Sequence, residues 1–471
     1  VPIQWNEEVK KHQEQLLDKL MELLRIPSVL DEEKATEEAP LGEAVKDALQ
    51  FMLDLGEKDG FIAKNVDNLA GHLEMGQGEE ILGILCHVDV VPAGDGWSVP
   101  PFEGVIKDNR IYARGAIDDK GPTMAAFFAM KIVKEMGHPF HKRVRMIVGT
   151  DEESKWRCVD RYFEQEEMPS IGFAPDADFP VIHAEKGIID FDLQLKKETI
   201  DEVAPKMELR SFVSGQRYNM VPDHAEAVLI AHQDQTYLLQ EYDEFLTTHQ
   251  LTGDYFIDGG NLTLQLTGKS AHAMEPDDGV NAGLALLSFL TNFEFDAKGK
   301  VFSQFAVKYL YQDSRANALE LAGWDEISGD LTMNVGKIRY NDEESYFGLN
   351  VRYPVTYDMA QRLEKLESLM ASNGFSIANV DNSEPHHVDG DDPFVQTLLR
   401  VYEEQTNSKG ELLAIGGGTY ARSLTKGVAF GALMPGRVDV AHQKDEYMEI
   451  EDLIRATAIY AQTIYEIACK K

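Results

Sequence analysis

The stretch ILGILCHVDVV runs apolar from position 81 and then sets His87 and Asp89 two residues apart. Strand side chains alternate, so the two share a face, and an aspartate there can accept the second imidazole N–H and fix its tautomer. Other apolar stretches end in the same way. VRMIVGT runs into DEES and places Asp151, Glu152 and Glu153 at a strand end, FAPDAD delivers Asp176, and DVAHQKDE after GVAFGAL delivers His442. RGAIDDKGP sets Asp118 and Asp119 just before a helix start. Each segment alone has an ordinary reading: a satisfied core histidine, a helix cap at one of the aspartates, a solvated acidic loop. Gathered on one sheet edge, two imidazoles and several carboxylates suit a pair of divalent cations, zinc or, with more oxygen, manganese or cobalt. Two such ions, about 3.5 to 4 Å apart, need one carboxylate to bridge them, and another must stay off the metals to take a proton from water. The Glu152 and Glu153 pair holds that spare. Residue type alone separates neither Asp118 from Asp119 nor Glu152 from Glu153.

The elements that must position these groups follow from the apolar periodicity. Leu16, Leu20, Leu23 and Leu24 make one helical face that Pro27 ends. KGPTMAAFFAMKIVKEMG has Pro122 near its first turn and Gly137 as its stop. Helix-period and near-continuous strand segments alternate to position 184, which predicts an α/β fold with a mostly parallel sheet covered by helices. From 185 to 382 the texture changes to two-residue alternation, as in NLTLQLTGKSAHA, LTMNVGKIRY and YFGLNVRYPV, the mark of an inserted α+β domain. From 383 the α/β texture returns, with Asp392 and Pro393 opening a helix. The catalytic domain is therefore expected over 1–184 and 383–471, interrupted by an inserted lid over 185–382. Ligands in such sheets gather beyond the carboxyl ends of the strands, where the chemistry-bearing segments fall.

The chain has 471 residues and a formal charge of −36, a field that repels phosphate backbones and anionic lipid heads and so argues against nucleic-acid and membrane partners. No segment reaches the roughly 18 apolar residues of a membrane span, and the first residues lack the apolar middle of a signal peptide. Three scattered cysteines, Cys86, Cys158 and Cys469, form no CxxC pair, which points to a reducing, cytoplasmic setting.

The ordered set HVDVVPAGDGW, RGAIDDKGP, GTDEES, PDAD and AHQKDE resembles the dinuclear metallopeptidase family of the aminoacylases and glutamate carboxypeptidases. Within it, IGGGTYAR, the context of GTDEES and the large insert look most like the bacterial peptidase V (carnosinase-like) dipeptidases, over nearly the whole chain. The resemblance implies that His87 and Asp176 hold one metal, that Glu153 and His442 hold the other, and that Asp118 bridges. It further implies that Asp89 orients His87 and that Glu152 is the general base acting on a metal-bridging water. In the lid, His272 of SAHAMEP would donate to the carbonyl oxygen as charge develops, and Arg352 of YFGLNVRYP would clamp the substrate's carboxylate. Asn219 matches another lid contact. Gly417 and Gly418 of IGGGTYAR would offer backbone N–H groups to an anion, with a plain turn as the equal alternative.

The function so implied is a metal-dependent dipeptidase, a zinc metallopeptidase in the first instance, acting on small peptides with free termini. A deacylase of N-acyl amino acids on the same site, or an aminopeptidase or tripeptidase, are the alternatives. The insert is long enough for two lid-sized units, which together with the charge predicts a monomer.

Overall fold

The structure, a computed structural model, describes residues 3–196, 207–232 and 234–470. The chain divides into two compact units: Val1–Ala184 with His387–Ala414 and Gly418–Lys471, and Glu185–His386 with Ile415–Gly417. The second boundary falls four residues beyond 382, and the short Ile415–Gly417 segment, 29 residues further on, also joins the second unit.

In the first unit the strand Ile81–His87 is buried along its whole length, as its unbroken apolar sequence requires. It pairs in parallel with Arg143–Gly149 on one side and with Ile171–Ala174 on the other, and Gly427–Ala429 extends the parallel set. The flanks pair antiparallel: Ile62–Val66 and Ala70–Gly76 form a hairpin whose second strand lies against Arg143–Gly149, and Val181–Glu185 meets Gly427–Ala429 at Ala429. The predicted parallel pairing is thus confined to the centre; the three-residue link between Ile62–Val66 and Ala70–Gly76 is too short for a crossover and makes that outermost pair a hairpin. Register sets His87 opposite Gly149 and Ile84 opposite Phe173, so the chain leaves three adjacent parallel strands on one edge.

Helices cover this sheet. Lys120–Glu135 buries every residue from Lys120 to Val133, the signature of a helix packed on all sides. Trp5–Leu24 and Ile450–Ile464 pack against it, the former through Leu16, Leu20, Leu23 and Leu24. Pro393–Thr406 opens with the Asp392 carboxylate accepting the Phe394 N–H at 2.9 Å.

The second unit is a separate antiparallel sheet with its own core. Its strands run in the order Thr252–Asp258, Asn261–Thr267, His224–Ala231, Met207–Ser214, Thr332–Tyr340, Ser345–Tyr353, Gly187–Leu195, Phe375–Ser383. Among the described residues, the helices Thr236–His249, Ala282–Leu290, Ala297–Tyr309 and Met359–Ser372 complete it. Among the described residues no helix is long and apolar enough to cross a membrane.

Candidate metal centre

The parallel strands of the first unit deliver His87, Glu152, Glu153 and Asp176 to one edge of the sheet, and two loops add Asp118 and His442. Asp118 is shared between the histidines: Oδ1 lies 3.1 Å from His87 Nε2 and Oδ2 lies 2.9 Å from His442 Nε2. His87 Nε2 is also 3.6 Å from Asp176 Oδ1, and His442 Nε2 is 3.0 Å from Glu153 Oε1. The donor atoms therefore fall into two groups able to hold a cation, His87–Asp118–Asp176 and Asp118–Glu153–His442, with Asp118 common to both. Glu152 stands beside them, its Oε2 4.0 Å from His87 Nε2, and joins His87 and Glu153 in a third such group.

Asp119 is turned away from this cluster. Its Oδ2 accepts the His87 backbone N–H and the Thr123 hydroxyl, both at 3.2 Å, and its Oδ1 is buried with no partner. It occupies the N-cap position of Lys120–Glu135 without capping the helix through its side chain. Fold geometry thus distinguishes two aspartates that residue type leaves equivalent.

Asp89 differs from its expected contact. The His87 Nδ1–H donates to the Asp89 backbone carbonyl at 3.0 Å, while the carboxylate Oδ1 lies at 3.4 Å. That carboxylate instead accepts the backbone N–H groups of Glu152 at 3.3 Å and Glu153 at 3.0 Å. The main chain fixes the imidazole tautomer, leaving Nε2 toward the cluster, and the side chain fixes the two glutamates.

Burial drives the electrostatics. It pushes Asp176 up to about 6 against the opposing charge of His87. Burial and then the Asp118 charge push Glu153 up to about 7. Burial and the Asp176 charge hold Glu152 well above the usual carboxylate range. For Asp118, burial acts upward, but hydrogen bonds with His442 and His87 outweigh it and hold the carboxyl well below its ordinary value. The Asp118 and Glu153 contacts raise His442 to about 11. For His87, burial acts downward and is outweighed by Asp176 and Asp118. Four largely buried carboxylates crowded around two imidazoles, His87 buried and His442 exposed, form a donor set that fits two divalent cations.

His272, Arg352, Asn219 and Gly417 belong to the second unit, and Gly418 to the first. The N–H of Ala273 donates to Asn219 O at 3.0 Å and that of Val221 to Ala271 O at 2.8 Å, so the segments carrying Asn219 and His272 run side by side. His272 Nδ1 accepts the Met274 N–H at 3.2 Å, which leaves the ring proton on Nε2. Burial and the charge of Arg352 hold His272 below its ordinary value, so the ring stays a neutral N–H donor.

The alternation in YFGLNVRYP leaves Asn350 and Arg352 on the face opposite Phe347, where solvent is the ordinary expectation. Yet Asn350 is 1% and Arg352 4% exposed. Arg352 Nε donates to Asn350 Oδ1 at 2.8 Å, Asn350 Nδ2 to Asp190 Oδ1 at 2.5 Å, and Arg352 Nη1 to Gly416 O at 2.7 Å. Asp190, Tyr218, Asn219, Lys337, Asn350 and Arg352 line an open pocket of about 440 Å³. The sequence sets Asn350 on the polar face but marks neither it nor Asp190 as a site residue, because strand alternation does not distinguish a buried polar face from a wet one.

Gly417 abuts Met274, since a Cβ built on it would lie 3.1 Å from Met274 Sδ, and Gly416 supplies the carbonyl that Arg352 uses. The segment after the glycines is a four-residue 3₁₀ turn, Tyr420–Ser423, with Thr419 Oγ1 accepting the Ala421 N–H.

A match to the family described as Peptidase family M20/M25/M40 spans residues 83–466. A Bacillus subtilis (strain 168) protein named "Putative dipeptidase YtjP" is 52% identical over 465 residues, 98% of this chain and 99% of that one. Among solved structures, aminoacylhistidine dipeptidase from Vibrio alginolyticus superposes with a TM-score of 0.59 at 13% identity, over 97% of each chain. Human carnosine dipeptidase 1 gives a TM-score of 0.55 at 14% identity over 98% of each chain. At such identities the two structures bear on the fold.

Proposed function

The chain belongs to peptidase family M20/M25/M40, and from that premise we propose that it is a metal-dependent dipeptidase hydrolysing the single peptide bond of short peptides with free termini. The name of its Bacillus relative supports this reading. The observation that carries it is the division of Asp118 between His87 and His442, with Glu152 beside them as a surplus carboxylate.

In this reading His87 and Asp176 hold one divalent ion, Glu153 and His442 the other, and Asp118 both. When bound, the ions polarise the scissile carbonyl and make a water nucleophilic near neutral pH. Glu152 removes a proton from the attacking water and passes it to the leaving amine, as a carboxylate left beside the ligand set can. His272 offers its Nε2–H to the carbonyl oxygen as negative charge develops. Arg352, oriented by Asn350 and Gly416, takes the substrate's terminal carboxylate, and Asn219 flanks it. Gly417 and Gly418 offer backbone N–H groups to an anionic part of the substrate. Zinc is the first choice of metal because His and carboxylate donors suit it, with manganese and cobalt as the alternatives. The substrate-competent form is a monomer in a reducing, cytoplasmic setting, where the three buried free cysteines remain thiols.

The test is to incubate the metal-loaded protein with Ala-Ala, tri-alanine, β-Ala-His and N-acetyl-Met and to count released amines. Release from the dipeptides alone supports the proposal. Preference for N-acetyl-Met makes the protein a deacylase, and preference for tri-alanine makes it a tripeptidase or aminopeptidase.

A further inference from the structure

Arg114 and Glu446 are 332 residues apart and both buried, 1% and 0% exposed, with Nη1 and Oε2 2.6 Å from each other. Among the described residues, neither side chain is hydrogen-bonded to a donor atom of the metal cluster. What they touch is the backbone that carries those atoms. Glu446 Oε1 accepts the N–H of Ile117 at 3.0 Å and of Asp118 at 3.2 Å. Arg114 Nη2 donates to His442 O at 3.3 Å and Ala93 O at 3.2 Å, and Nη1 donates to Gln443 O at 3.2 Å. One ion pair therefore ties together the Asp118 segment, the His442 loop and the loop that follows Asp89.

The His442 loop needs such a tie. It has no regular secondary structure, His442 is exposed, and its φ of 62° lies in the left-handed region that a non-glycine residue keeps only when surrounding contacts hold it there. A guanidinium is suited to the task because its rigid fork of N–H donors reaches several carbonyls at once, whereas an ammonium presents a single nitrogen. The indole of Trp97 lies 5.2 Å from the guanidinium carbon on a further side, so the fork has one packed orientation.

We propose that Arg114 and Glu446 are positioning residues for the His442 half of the centre: they set the distance between the shared carboxylate of Asp118 and the His442 imidazole, and so the affinity for the second metal ion. The proposal rests on the reading of the cluster as a two-metal site. His87 and Asp176 are fixed independently, by the parallel strands and by the Asp89 carbonyl, so the ion they hold feels the pair only through the shared Asp118 and depends on it less than the second ion does.

The experiment is a Zn²⁺ titration of the full-length protein against a competing chelator, with the Co²⁺-substituted absorption spectrum as a second readout of ligand geometry. Wild type takes up two ions. Arg114→Lys retains one ion at close to wild-type affinity and binds the second roughly 10- to 100-fold more weakly, the usual effect of removing a group that orients a ligand. Glu446→Gln has too few acceptors for both Arg114 and the two N–H groups, and it carries the same reading if Arg114→Lys does not fold. Arg437→Lys, which alters a bidentate contact with the buried Asp452 made five residues before His442, leaves both affinities unchanged. Two ions bound by Arg114→Lys or Glu446→Gln with wild-type affinity and spectrum would overturn the proposal. So would equal weakening of both ions, which would make the pair a general support of the fold. A wild type that takes up no Zn²⁺ would overturn the two-metal reading, and this inference with it.

Discussion

Asp89 Oδ2 accepts the backbone N–H of Glu153 at 3.0 Å, while Oδ1 accepts that of the adjacent Glu152 at 3.3 Å. One carboxylate thus holds the proposed base and a proposed metal ligand in register, although His87 already has its tautomer set by the Asp89 main chain. Asp89→Ala keeps that carbonyl and removes the glutamate support together with the longer 3.4 Å contact of Oδ1 with His87 Nδ1. We expect it to lower turnover and weaken Zn²⁺ together, by roughly 10- to 100-fold. Metal titration beside steady-state kinetics checks this. Unchanged affinity with a shifted His87 titration would return Asp89 to the imidazole.

Arg352→Ala should weaken turnover of a dipeptide by roughly 10- to 100-fold, the scale of a charge-assisted contact, and should affect its C-terminally amidated analogue much less. Asn350→Ala should reproduce part of that selectivity, because Asn350 Oδ1 orients the guanidinium through Nε. Comparing kcat/KM for the free and amidated peptide decides it, and equal losses on both would take Arg352 out of the carboxylate site.

Metal uptake should release protons. His442 is raised to about 11 and Glu153 to about 7 in the metal-free cluster, so at pH 7 the site holds protons that a cation must displace. A raised pKa means tighter proton binding in the folded site. Competition is therefore strongest at low pH, and Zn²⁺ affinity rises as pH climbs from 6 to 8. Calorimetric titrations in buffers of different ionisation enthalpy should show proton release on metal uptake, about one from His442 and part of one from Glu153. Affinity independent of pH would contradict the assignment of His442.

How far the sequence reaches depends on the kind of contact. His87, Glu152, Glu153 and Asp176 were legible because parallel strands end together, so apolar runs ending in His, Asp or Glu locate an edge. The choice between Asp118 and Asp119 was not, because it depends on which side chain the loop turns toward His87 and His442. The buried face of Ser345–Tyr353 was also hidden, since Asn350 and Arg352 are covered by partners from Gly187–Leu195 and from Gly416. Arg114 and Glu446 stand within the RGAIDDKGP and AHQKDE segments, yet nothing local marks them as partners across 332 residues. The hairpin at one flank of the first sheet follows from its three-residue connection rather than from strand composition.

The active species should be a monomer. Light scattering across a dilution series, with activity per chain measured alongside, should give one mass and constant specific activity. Mixing His272→Ala chains with Glu152→Ala chains should restore nothing, whereas recovered activity would mean that subunits share a site.

The central claim is the division of labour between Glu152 and Glu153, and metal content measured beside turnover in Glu152→Ala and Glu153→Ala tests it most directly. Glu152→Ala should keep both ions and lose on the order of 10²- to 10⁴-fold in kcat, because a general base acts on the water. Glu153→Ala should lose the ion that it shares with Asp118 and His442. Equal loss of metal in the two variants would contradict the account.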